Sequence, residues 1–143
     1  MSAEPLSDRA WRIMTAAWLV ALVATLGALF IGEVMGKTPC TLCWYQRIAM
    51  FPLAVILGIG ALTSDPRAVR YALPLALAGL AVAAWHSAVF AGIAPQEIQP
   101  CTRTGPSCSG DAMKLGPIPL PFLALAAFAM IAFLLVSVRR PMT

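Results

Sequence analysis

The chain has 143 residues, 60% of them hydrophobic and 11% charged, with a formal net charge of +4. A small soluble core could not hide that much apolar surface, so the composition excludes an ordinary soluble domain and puts the chain in lipid. The positive charge comes mostly from arginines that flank apolar runs, as membrane borders require, and does not point to nucleic acid.

The first apolar run extends from Trp11 to Ile31 and is closed by Glu33. It is longer than the 7–15 residues of a signal-peptide core and no small-x-small cleavage site follows, so it reads as a retained membrane helix. Residues 38–47, Thr-Pro-Cys-Thr-Leu-Cys-Trp-Tyr-Gln-Arg, then lead into the second run, 44–62. Thr38 suits the cap of that helix and Pro39 its first position, which puts Cys40 and Cys43 on one face of the opening turn. There the positive helix end and a nearby cation would lower a thiol pKa from about 8.5 toward 3.5–7.5, favouring the thiolate that attacks disulfides. Arg47, one turn deeper on the same face, is that cation. On position alone it reads either as an interfacial anchor or as a donor to a polar cofactor head.

A tight turn, Thr63 to Ala68, precedes the third run, 69–93. His86, the sole histidine, lies at a depth similar to Arg47 and reads equally as a functional group or as a bond to a neighbouring helix. The longest polar loop, Ala94 to Ile118, is rich in proline and glycine and carries Cys101 and Cys108, whose pairing would staple it. The fourth run spans 119–138. The tryptophans and tyrosines mostly mark helix ends, as an interfacial belt does. The methionines, Met113 included, read as packing or loop residues without a metal box.

Four runs of about 20 residues each match the roughly 30 Å of a hydrocarbon core. The fold expected is therefore all-α, a polytopic four-helix bundle forming one membrane domain over residues 1–143. An even helix count puts both termini on one side. Arg9, Arg12, Arg67, Arg70, Arg139 and Arg140 lie on that side, against Lys37, Arg103, Lys114 and the membrane-edge Arg47 on the other. The positive-inside rule then makes the termini cytoplasmic and the two cysteine loops extracytoplasmic, where disulfides persist. Three chemistries fit the four cysteines at this point: redox exchange, static disulfide staples in a non-catalytic interaction protein, and a four-cysteine zinc site. The last is disfavoured by the wide C-x6-C spacing and the oxidising compartment.

Cys40-Thr-Leu-Cys43-Trp-Tyr-Gln-Arg47, His86, Pro100-Cys101 through Cys108, and Gly116-Pro-Ile-Pro119 together resemble the disulfide bond formation protein B (DsbB) family of membrane thiol:quinone oxidoreductases. The resemblance covers most of the chain. It implies a bacterial inner-membrane enzyme that re-oxidises a thioredoxin-fold, DsbA-like thiol oxidase and passes the electrons to a quinone, ubiquinone or menaquinone. By the same resemblance Cys101 receives the partner, Cys108 exchanges with Cys40, and Cys43 lies beside the quinone. Arg47 and His86 are then the quinone contacts, and no resident metal is expected. Many relatives have a long segment between the loop cysteines, whereas six residues separate them here.

Overall fold

The computed structural model describes residues 4–95, 108 and 113–140, so Cys101 and Arg103 lie outside the described residues. Four helices are present: α1 Asp8–Leu29, continued by a π-helical turn Phe30–Val34, α2 Thr41–Thr63, α3 Ala68–Phe90 and α4 Leu120–Arg139. All four are long and apolar enough to cross a membrane, with mean hydropathy of 1.6 to 2.5 in their most apolar stretches. Side chains such as Val23, Ile59, Leu62 and Phe133 lie on the outside of the bundle, as lipid contact requires.

The helices form a ring in which α1 packs on α2 and α4, and α3 packs on the same two. Lipid outside is as apolar as the core within, so association depends on close packing rather than on burial from water. Small residues supply that approach: Ala17, Ala21, Ala72 and Ala76 are fully buried beside Leu53, Leu57, Ile131 and Leu135. Gly79 of α3 is the tightest point, because the Phe128 ring of α4 occupies the space where a Cβ would sit. At the end of the bundle with the termini, Trp11 Nε1 donates to Ala61 O at 2.9 Å and Leu6 N to Ser64 O at 3.2 Å, fastening α1 to the α2–α3 turn.

Local chemistry moves several boundaries from those the sequence suggests. α2 starts at Thr41 rather than near Pro39, because Cys40, not Thr38, is the N-cap: its backbone is extended and its sulfur accepts from Cys43 N at 3.4 Å. α3 ends at Phe90 instead of Ile93. Gly92 takes φ +77, Gly92 N bonds Val89 O and Ile93 N bonds Ala88 O, the paired closure of a Schellman motif. Before α4, Lys114–Leu115 pairs with Ile118–Pro119 as a short hairpin, β1 and β2, too short to show as a strand pattern in the sequence. Gly116 at φ +63 followed by Pro117, whose ring fixes a negative φ, matches a type II′ turn.

Gly79→Ala should lower stability by about 1–3 kcal/mol through overpacking against Phe128. Gly27→Ala, with no atom within 4 Å of the added carbon, should be neutral or stabilising. Thermal unfolding in detergent micelles separates the two, and equal midpoints would show that the Gly79–Phe128 contact is unimportant.

Candidate functional site

The cysteine-bearing end of the bundle gathers groups from α2, α3 and both loops. Cys40 and Cys43 carry free thiols whose sulfurs are 3.1 Å apart. Cys108 is disulfide-bonded, and its partner is neither Cys40 nor Cys43. It is nevertheless buried in one small cluster with Cys40, Leu42, Val89 and Met113.

His86, wholly buried, links these parts. Its Nε2 is 3.1 Å from Cys108 O and 3.8 Å from Cys40 Sγ, and its Nδ1 is 3.1 Å from Gln46 Nε2. A carbonyl only accepts, so Nε2 bears a proton, and the Gln46 amide donates to Nδ1 on the other side of the ring. Nothing in the sequence alone gives Gln46 a role. Its position next to Arg47 in the motif was visible, but a partner 40 residues away was not.

Arg47 points the other way. Nη2 donates to Ala28 O at 2.8 Å and the guanidinium lies 5.6 Å from the centre of the Trp44 ring. The π-helical turn that ends α1 presents Gly32 to this guanidinium, and a Cβ there would fall 2.8 Å from Nη2. π turns inside α-helices are often found at functional sites, where they re-aim the backbone. Here the turn gives Arg47 a seat.

Beside Arg47 opens a cavity of about 640 Å³ between α1, α2 and α4. Leu19, Val23, Leu123 and Ala127 give it apolar walls, while Cys43, Gln46, Arg47, Lys37 and Met113 collect at its polar end. Its size is in the usual range for a small-molecule site, roughly 300–1,000 Å³. Of the residues singled out by sequence, Cys43 and Arg47 line this cavity, whereas Cys40 and His86 lie behind it toward Cys108. Met113, read from sequence as packing, has its sulfur 3.6 Å from Cys43 Sγ. Lys37 Nζ donates to Lys114 O at 2.7 Å, tying the first loop to the hairpin and closing this end of the cavity.

Cys40, the residue just before the membrane-crossing helix, has its thiol held far below the ordinary range, at about 4. The largest cause is the Cys43 S–H donating to the Cys40 thiolate. Burial opposes the shift, and the His86 side chain and Cys43 backbone N–H add to it. Cys40 is therefore the ready nucleophile of the reduced pair.

A family model described as disulfide bond formation protein DsbB matches residues 9–138. A probable disulfide formation protein of Metapseudomonas resinovorans is 56% identical over 100% of this chain and 99% of its own length. Disulfide bond formation protein C of Bacillus subtilis is 44% identical over 81% of this chain and 84% of its own, and a probable disulfide formation protein of Deinococcus radiodurans is 42% identical over 89% and 88%. No solved structure matches the chain.

The reduced protein should show thiolate absorbance near 240 nm at neutral pH that disappears on acidification through about pH 4 and is absent from Cys40→Ser. Because the folded pKa is depressed, the anion's contribution to stability is complete above the unfolded thiol pKa of about 8.5 and is lost as pH falls through the folded value. Titration of Cys40 near 8.5 would refute the geometry described.

Proposed function

The chain belongs to the DsbB family of disulfide bond formation proteins, and from that premise we propose a membrane thiol:quinone oxidoreductase that re-oxidises a thioredoxin-fold, DsbA-like dithiol partner. The observation that carries this reading is that the two thiols face different neighbours. Cys40 is buried with Cys108, and Cys43 opens into the apolar cavity beside Arg47.

The electron path follows from thiolate attack on disulfides. The partner's thiolate attacks Cys101 of a loop disulfide with Cys108, and Cys108 leaves as thiolate. The partner's second thiolate resolves the mixed disulfide, so the partner leaves oxidised and Cys101 reduced. Cys108 next attacks Cys40 of an oxidised Cys40–Cys43 pair and expels Cys43 as thiolate. Cys101 then attacks Cys108, restoring the loop disulfide and leaving Cys40 and Cys43 reduced. Their burial in one cluster supports the step between Cys108 and Cys40, and His86 steadies it by holding the Cys108 backbone next to the Cys40 sulfur.

The cavity suits a quinone: its walls are apolar like the ring and tail, and its polar end offers guanidinium and amide donors for ring oxygens. When bound, a quinone supplies a sink for two electrons and two protons. Cys43 would lie beside the ring, Arg47 would donate to an oxygen, and Gln46 would keep His86 in place. Loops facing outward from a bacterial inner membrane, as the arginine distribution implies, give the partner access.

Anaerobic mixing of the protein with a reduced thioredoxin-fold oxidase and a quinone should bleach the oxidised quinone stoichiometrically. Cys43→Ser should abolish the bleaching, and full turnover in that variant would reject the mechanism. Arg47→Ala should raise the KM for quinone about 10- to 100-fold, as expected for loss of a charged hydrogen bond of about 1.5–3 kcal/mol. Gly32→Ala, which displaces the guanidinium without removing it, should act in the same direction by less. A quinone KM unchanged in both variants would remove Arg47 from the site.

A further inference from the structure

The reduced site has a second chemistry that disulfide exchange does not use. Among the described residues, ligand atoms of Cys40, Cys43 and His86 all lie within 4.8 Å of one another. Met113 Sδ, 3.6 Å from Cys43 Sγ, adds a fourth soft donor. These four side chains come from the α2 cap, α2, α3 and the segment before the hairpin, so the fold converges them from three parts of the chain.

Bond lengths of about 2.3 Å to sulfur and 2.0–2.1 Å to nitrogen at tetrahedral angles require S···S near 3.8 Å and S···N near 3.6 Å. The observed separations are 3.1 Å for Cys40 to Cys43 and 3.8 Å for Cys40 to His86, within a small side-chain adjustment of that geometry. Thiolate and thioether donors select soft cations, and a thioether favours Cu(I) over Zn(II). We propose that the reduced Cys40–Cys43 pair, with His86 and Met113, binds one thiophilic d10 cation, Cu(I) ahead of Zn(II), and that the bound ion blocks these thiols from disulfide chemistry.

Three features specify the site. Cys108 is disulfide-bonded, so the set is two cysteines, one histidine and one methionine rather than four cysteines. The ion enters from the cavity, which Cys43 and Met113 line. His86 must release Cys108 O and present a bare Nε2, which moves the ring proton to Nδ1. Gln46 meets that change by rotating its amide so that Oε1 accepts, the role that partners of metal-bound histidines commonly fill. Binding displaces the one remaining thiol proton, that of Cys43, to water and changes no oxidation state. Oxidation of the pair to a disulfide destroys the site, so the ion is held only by the reduced protein.

The test uses the full-length reduced protein in detergent, without quinone, under anaerobic conditions, so its outcome does not depend on the quinone reading. Cu(I) is titrated against a chromogenic Cu(I) chelator, and Zn(II) is measured in parallel. One equivalent of Cu(I) should be withdrawn by the reduced protein and none by protein whose Cys40 and Cys43 are oxidised. His86→Ala should weaken Cu(I) binding at least about tenfold, and Met113→Leu should weaken Cu(I) while leaving Zn(II) affinity unchanged. X-ray absorption should report sulfur with one nitrogen ligand. Absence of Cu(I) uptake, or undiminished uptake by a Cys43→Ser protein with an unaltered thermal midpoint, overturns the site. Unchanged Cu(I) affinity in Met113→Leu overturns the four-donor set and the preference for Cu(I).

Discussion

A wholly buried imidazole organises the cysteine-bearing end of this bundle. Polar groups at membrane depth have no water to satisfy them, so each must find a partner in the protein. His86 finds three: Gln46 on α2, the carbonyl of Cys108 in the loop, and more distantly the Cys40 sulfur. One side chain thereby joins α3 to α2 and holds a loop residue against the helix start. The approach of Cys108 to Cys40 follows from the cost of leaving that ring unbonded.

Arg47 imposes a second constraint of the same kind on α1. A guanidinium lining an apolar cavity requires acceptors and space, and the end of α1 supplies both through the Ala28 carbonyl and the missing side chain at Gly32. The π-helical turn is thus part of the site although it contributes no reactive group. The Trp44 ring lies within cation–π distance of the same guanidinium. The result is a fixed positive charge close to Cys43, at the junction between the cavity and the loops.

The sequence reveals much of this arrangement because its strongest signals are local. Four apolar runs predict four helices, and spacing alone puts Cys43 and Arg47 on one face, where both line the cavity. What it hides depends on contacts between distant residues. Gln46 meets His86 and Met113 meets Cys43 only once the bundle is assembled, and each of those residue types is ordinary in its local setting. The Thr38 cap is a reasonable inference from residue preference, but the sulfur of Cys40 takes the Cys43 N–H instead. Gly92 and Gly116 end α3 and turn the hairpin through positive φ, a requirement that glycine in a polar loop suggests without locating.

For the proposed relay, the Cys40 cap bears on the driving force of electron transfer. A thiolate at a helix start accepts from backbone N–H more strongly than a disulfide sulfur does, so α2 is better capped when the pair is reduced. Whatever stabilises the reduced form makes the pair a stronger oxidant. A cap of about 1 kcal/mol corresponds to roughly 20 mV for a two-electron couple. In that relay the start of α2 would act as a tuning element, in which the hydrogen-bonding needs of a helix end set part of the potential at which electrons are accepted.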